Sequence, residues 1–307
     1  MNPLVMSVLE RTIAAGTPLL LGTLGEVLAE RAGILNLGVE GMMSVGAVSG
    51  FMVALGTGSP WAGLLAAAAA AAALSLLHAF SSITLKVNQV VSGLALAMLG
   101  VGISGLLGKP YMGVPLPAQL PVVKIPGLAD IPLVGTILFD KDPLFYFAVV
   151  MGVLLWFLLS KTRWGMRVRS VGENPAAAAV QGVSVSGVRY LCTVLGGALA
   201  GLGGAQLSLV YSKSWTEGMT GGRGWIVIAL TIFALWNPLR AFVGSFLFGG
   251  IFVLQYLLQP LGIPPNLLGS LPYIATLVVL VVGGLNRNSR RQNAPAALGE
   301  PYTRGER

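Results

Sequence analysis

KTRWGMRVRSVGENPAAAAVQGVSVSGVR, residues 161–189, is the stretch from which the architecture is read. It carries Lys161, Arg163, Arg167, Arg169 and Arg189 against a single acid, Glu173, and it interrupts a chain that is otherwise nearly continuous hydrocarbon. Inside it lies a short helix signal. Asn174 is an N-cap residue whose side-chain oxygen can accept from the first free backbone N–H groups. Pro175 suits the first helical position, where its missing N–H costs nothing. Ala176–Gln181 continue for about two turns, and Gly182 can take the left-handed conformation that stops them. Glu173, beside the N-terminus, meets the helix dipole favourably. So short a helix is marginal alone in water; the sequence therefore predicts that tertiary or partner contacts hold it. A surface helix lying on the headgroups is the bland reading, and a docking element for a cytoplasmic partner is the functional one.

The rest of the chain sets this loop in a membrane. Of 307 residues, 55% are hydrophobic and 10% are charged, where a soluble domain carries about 25% charged residues. So few charges cannot coat a water-soluble globule. The net charge of +8 does not point to nucleic acid, because the basic residues cluster at the ends of apolar spans, as the positive-inside rule predicts. One cysteine, Cys192, and one histidine, His78, exclude an intrachain disulfide and a Cys/His metal site. Both sit in apolar stretches and read as a packed thiol and a packing imidazole. The N-terminal MNPLVMSVLERTIAAG lacks a basic leader and places Glu10 and Arg11 where a signal peptide would stay apolar, so the first span is expected to remain in the mature protein.

Apolar runs long enough to cross a hydrocarbon core fall at about 12–29, 39–57, 61–82, 88–107, 143–160, 189–211, 224–238, 241–259 and 267–285. The fold class is thus an all-α, polytopic helical bundle with about nine (8–10) transmembrane helices and broken or re-entrant segments. The transmembrane domain is 1–285, and 286–307 is a basic tail expected to be disordered. Loop charge puts 161–189 and the tail (Arg287, Arg290, Arg291, Arg304, Arg307) in the cytoplasm. The charge-balanced, proline-rich 108–142 loop goes outside. Lys86 then falls inside, Gly56–Pro60 outside, and nine spans leave the N-terminus outside. Residues 29–40 and 212–224 are too polar or too glycine-rich for lipid-facing helix, and the apolar run before Asn237-Pro238 is short. Such backbone survives in a bilayer only inside protein or along a cavity, as in the broken helices of transporters. Small residues at close spacing, among them Gly196, Gly197, Ala200, Gly201, Gly203 and Gly204, read as tight helix packing.

Polar groups at membrane depth are costly and mark functional candidates. Glu26, Glu30 and Arg31 share the end of the first span and read best as structural ties. Asn36, Glu40, Asn88 and Gln89 are candidates for the substrate pathway, since Asn and Gln both donate and accept toward a hydroxyl-rich solute; capping of broken helices is the alternative. Trp215, Glu217, Arg223 and Trp225 surround the glycine-rich break and are candidates for an outer gate or a rim that docks a binding protein. No energy-converting motif accompanies them. GISGLLGKP (102–110) is a near miss for a P-loop: Pro110 follows Lys109, and Gly102 is misplaced by one residue. No nucleophile elbow or zinc motif is present either.

Four phrases carry a resemblance: ERAGILNLGVEGMM (30–43), NQVVSGLAL (88–96), RWGMRVRSVGENPAAA (163–178) and GGRGWIVIALTIFALWNPLRA (221–241). Together the chain resembles permease subunits of ABC importers of the branched-chain amino acid/ribose family, closest to the nucleoside or simple-sugar branch. That resemblance implies a permease that performs no covalent chemistry and binds no cofactor or metal, with ATP and Mg in a partner ATPase. It implies a second, non-identical permease subunit, a cytoplasmic ABC ATPase and an extracytoplasmic lipoprotein that binds the solute. It places the ATPase-coupling element on Arg169, Gly172, Glu173, Asn174, Pro175, Gln181 and Gly182. It also implies a bacterial-type plasma membrane with the C-terminus in the cytoplasm. The expected function is inward translocation of a nucleoside or simple sugar, driven by ATP in the partner. A stand-alone secondary transporter or channel is the competing class.

Overall fold

The computed structural model describes residues 3–132, 134–285 and 294–303. It is helical almost throughout. The long elements are α1 (Pro3–Arg31), α2 (Val39–Thr57), α3 (Pro60–Ala79), α4 (Gln89–Gly108), α6 (Pro143–Lys161), α9 (Val185–Gln206) and α11 (Pro238–Leu257). Shorter ones are α5 (Val134–Leu138), α7 (Arg163–Glu173), α8 (Pro175–Val180), α10 (Arg223–Phe233), α12 (Pro265–Gly269) and α13 (Leu271–Leu285). Strands β1 (Val123–Lys124) and β2 (Asp140–Lys141) pair antiparallel in the 108–142 loop, with Lys124 and Asp140 opposite each other and joined by a 3.5 Å ion pair.

The chain starts its helices with one recurring device, a capping side chain followed by proline at the first helical position. Ser59-Pro60, Asp142-Pro143, Asn174-Pro175 and Asn237-Pro238 open α3, α6, α8 and α11. In each case the side-chain oxygen accepts from backbone N–H groups that have no intrahelical partner. Two helices end alike: α3 runs into a π turn at Phe80–Thr84 and α9 into one at Leu207–Tyr211. Each is followed by a lysine with positive φ, Lys86 and Lys213.

The centre of the bundle is a crossing of α1 and α9. Over its most apolar stretch α1 is 89% buried, whereas α4 is 28% buried, so α1 is enclosed by protein and α4 faces outward. At the crossing, a Cβ on Gly25 would lie 2.4 Å from the carbonyl oxygen of Gly196, and one on Gly196 would lie 2.6 Å from that of Gly25. The contact is reciprocal, backbone on backbone. Farther along α9, a Cβ on Gly204 would lie 1.8 Å from Met43 O on α2. Lipid supplies no hydrophobic drive between helices, so close packing of small residues takes its place.

Seven helices among the described residues are long and apolar enough to cross a membrane, and two shorter apolar helices accompany them. Four finer expectations from sequence are corrected. Residues 224–238 are not a full span: α10 has 11 residues, about 16 Å at 1.5 Å per residue, half of a hydrocarbon core of about 30 Å. It stops because Leu235 and Trp236, although apolar, turn to positive φ. At the far end, the read span 267–285 is a short α12 followed by the 15-residue α13. The 161–189 segment holds two helices rather than one, since α7 precedes α8. Finally, 294–303 is not a loose tail. Ala297 is buried, and its N–H donates to Gly172 O at 2.9 Å. Arg287, Arg290, Arg291, Arg304 and Arg307 lie outside the described residues.

Gly25→Val should lower the thermal midpoint of the detergent-purified chain by the equivalent of about 1–3 kcal/mol or abolish folding, because the added carbons meet backbone. Gly56→Val, at a position with nothing within 4 Å, should change the midpoint far less. Equal midpoints for the two variants would refute the crossing.

Candidate functional site

The short helix lies where the sequence puts it. Asn174 Oδ1 accepts from Ala177 N at 2.9 Å, Pro175 opens α8, and Gly182 closes it at φ +79. The N–H groups of Gly182 and Val183 donate to Ala179 O and Ala178 O, each at 3.0 Å. Asn174 also ends α7, its own N–H donating to Ser170 O at 2.9 Å, so one residue joins two helices. Six residues cannot stabilise themselves. A small core of Val171, Ala178 and Val185, with Tyr302 against it, holds α8 to the bundle. The opposite face is open, with Ala176, Ala177, Val180 and Gln181 exposed and Val180 at 86%. Of the other coupling candidates, Arg169 and Glu173 are exposed and Gly172 is buried. A Cβ on Gly172 would lie 2.2 Å from Arg31 O, which fixes α7 against the end of α1. Two open grooves of about 420 and 520 Å³ flank α8, and Tyr302 lines both. Lys86 lines the second, so it shares the side of α8.

Arg189 is the residue that the sequence hides. Read as one more loop charge, it is 1% exposed. Its Nε donates to Ala32 O at 3.2 Å and its Nη1 to Glu300 O at 3.1 Å. It thereby ties the α1–α2 turn to the 294–303 segment from the second turn of α9. Gly299 N donates to Gly33 O at 3.3 Å, and Ala296 N to the Glu173 carboxylate at 3.3 Å. The C-terminal strap, the α1–α2 turn, α7 and the base of α8 are thus one hydrogen-bonded unit.

The polar residues of the broken helices are bonded in the same manner. In the turn after α1, Glu26 accepts from Asn36 N at 3.1 Å, and Gln89 Oε1 accepts from Leu35 N at 2.7 Å. His78 Nε2 faces Leu35 O at 3.1 Å, and its Nδ1 faces Ser92 Oγ at 3.1 Å. A carbonyl only accepts, so Nε2 carries the proton and Nδ1 accepts from the hydroxyl. Glu30 accepts from the Trp236 indole N–H, and Arg31 Nε donates to Trp236 O at 3.0 Å. These contacts join the turn after α1 to the turn after α10. Asn36 Oδ1 accepts from Gly38 N at 3.1 Å.

Glu40 lies apart from that cluster. Its Oε1 accepts from Thr220 Oγ1 at 2.6 Å and Gly222 N at 3.0 Å, and its Oε2 accepts from Gly224 N at 2.6 Å. A buried carboxylate on α2 therefore caps the half-helix α10. The four pathway candidates are not one lining: Asn36 and Gln89 support the α1–α2 turn, Glu40 caps α10, and Asn88, exposed, caps α4. The outer candidates also divide. Trp215 is 1% exposed and Arg223 is 7% exposed. Trp215 packs against Gly108, and Arg223 stacks over Phe252 at 4.4 Å. A docking rim there is left to Glu217 and Trp225, both exposed. The 108–142 loop reaches this end, with Leu116 N donating to Lys213 O at 2.9 Å. It lies at the end of α9 opposite the strap.

The comparisons agree with these features. Residues 8–285 match the family model described as branched-chain amino acid transport system / permease component. The chain is 39% identical to the putative glucose ABC transporter permease protein TsgC13 of Haloferax volcanii, over 96% of this chain and 97% of that one. It is 36% identical to the guanosine ABC transporter permease protein NupQ of Bacillus subtilis, over 96% of each. It is 34% identical to the nucleoside ABC transporter permease protein NupC of Lactococcus lactis, over 87% of this chain and 88% of the other. No solved structure matches. A multi-helix bundle with broken central helices, matched over nearly its whole length, belongs to the family described as branched-chain amino acid transport system / permease component.

Proposed function

We propose that this chain is the translocating subunit of an ATP-driven importer for a nucleoside or a simple sugar. Its identity to permeases named for guanosine, for nucleosides and for glucose over nearly full length carries this reading. A permease of this family works with a separate ATPase and a solute-binding partner. The capped α8, with its exposed outer face and flanking grooves, is suited to receive the ATPase. Motion there would pass through Asn174 to α7 and through Arg189 to α9 and the α1–α2 turn. The backbone contact of Gly25 and Gly196 fills the centre of the bundle. That favours a path at the edge of this chain, completed by a second permease subunit, which the sequence resemblance implies is non-identical. The basic charge of 161–189 supports a cytoplasmic α8, and the strap 294–303 then lies on that side too.

Proteoliposomes holding the permease pair and ATPase, with the binding protein outside, should accumulate guanosine or glucose only with ATP inside. Accumulation by this chain alone, driven by an ion gradient, would favour the secondary-transporter reading. Gly182→Val strains the left-handed stop by about 1 kcal/mol without a steric neighbour, since nothing lies within 4 Å. Asn174→Ala removes a cap worth about 1 kcal/mol. Both should lower solute moved per ATP hydrolysed while the bundle keeps its thermal midpoint; unchanged coupling in both would argue against α8 as the transmitting element. Glu40→Ala leaves the Gly222 and Gly224 N–H groups and the Thr220 hydroxyl without their acceptor, at about 1–3 kcal/mol for an unsatisfied buried group. It should reduce both the midpoint and uptake. Full uptake with an unshifted midpoint would count against its capping role.

A further inference from the structure

A cavity of about 490 Å³ opens on the side of the bundle between α6 and α9, with Leu28 of α1 at its floor. It is long and narrow. Its walls run from Phe147 to Leu158 on α6 and from Leu191 to Leu202 on α9, about 16 Å at 1.5 Å per residue. Every lining residue is apolar apart from the indole N–H of Trp164, which sits where α6 gives way to α7. The position of Trp164 is imposed by backbone. A Cβ on Gly165 would lie 2.1 Å from Leu158 O, so α7 is locked against the last turns of α6.

The same end of the slot carries unpartnered cations. Lys161 ends α6, and Arg163 and Arg167 stand four residues apart on one face of α7; all three are exposed. Among the described residues, their side chains make no hydrogen bond or ion pair, and the one ion pair found is Lys124–Asp140 on the loop at the other end. α7 buries Gly165, Val168, Val171 and Gly172 and exposes Arg163, Met166, Arg167 and Arg169. The apolar face of α7 is thus packed on the bundle, and its basic face is turned outward. An apolar slot the length of much of an acyl chain thus ends at a tryptophan and three free positive charges.

We propose that this slot is a binding site for an anionic phospholipid. One acyl chain lies between α6 and α9, the glycerol region meets Trp164, and the phosphate lies on Lys161, Arg163 and Arg167. Neither element suffices alone: the charges without the slot hold any anion weakly, and the slot without the charges takes any chain. The site is adjacent to α7, which is joined to α8 through Asn174, so the lipid would brace the element against which the coupling helix is built.

Native mass spectrometry of the full chain, titrated with phosphatidylglycerol or with phosphatidylcholine of the same chains, tests the site. One phosphatidylglycerol should be retained in preference. The triple variant K161Q/R163Q/R167Q should lower its retention at least fivefold, since each basic residue near an anionic surface contributes about that factor. Ala198→Trp, which fills the slot, should lower retention as much with the charges intact; Leu195→Trp on the rim replaces it if that variant does not fold. Equal retention of the two lipids would overturn the proposal. So would loss with the charge variant alone, or displacement by millimolar inorganic phosphate, either of which would mean a surface anion site without a chain. A tryptophan variant that changes oligomeric state and leaves lipid retention intact would assign the slot to a protein interface and also overturn it.

Discussion

The approach of two backbones at Gly25 and Gly196 constrains everything else in this bundle. At that distance no side chain fits between α1 and α9, so the two longest helices cross as bare peptide surfaces. Apolar side chains gain nothing by leaving lipid for a protein interior of the same polarity. What holds the crossing is contact between atoms, and that requires small residues on both helices. The remaining helices pack around the pair.

The second constraint is the satisfaction of broken backbone. Helices that stop at membrane depth leave N–H and C=O groups that water cannot reach. This chain answers several of them with side chains from other elements. Glu40 receives the start of α10, Gln89 and His78 receive the turn after α1, and Glu30 and Arg31 receive the turn after α10. Residues that seem to advertise a substrate site are in large part the ties that let the breaks exist.

At the opposite end from the 108–142 loop, α8 is held by three partners at once. α7 precedes it through Asn174, the Val171–Ala178–Val185 core lies beneath it, and the 294–303 strap lies beside it. Arg189 makes this assembly continuous with the central helix α9. Its two carbonyl partners, Ala32 O and Glu300 O, lie on segments far apart in the chain. A helix too short to stand alone is thereby tied to the core.

What the sequence determined by itself were the local features. Composition dictates the membrane, because ten percent charge cannot coat a soluble surface. The Asn174-Pro175 start and the Gly182 stop of α8 are legible because caps act within four residues of themselves. The same grammar at Ser59-Pro60, Asp142-Pro143 and Asn237-Pro238 marks three further helix starts. Only the tertiary structure decided the long-range features. It decided that Arg189 is buried, since an arginine at a span end looks the same in sequence whether it faces water or two distant carbonyls. It also decided that α10 stops short, since Leu235 and Trp236 are apolar enough to prolong a span but turn to positive φ, where Glu30 and Arg31 meet Trp236. Trp215 reads as a candidate for an outer gate or docking rim until Gly108 opens a buried place for it. In each case the missing information is a partner far away in the chain, and hydrophobicity and spacing along one strand of sequence carry no record of which distant group will satisfy a buried donor or acceptor.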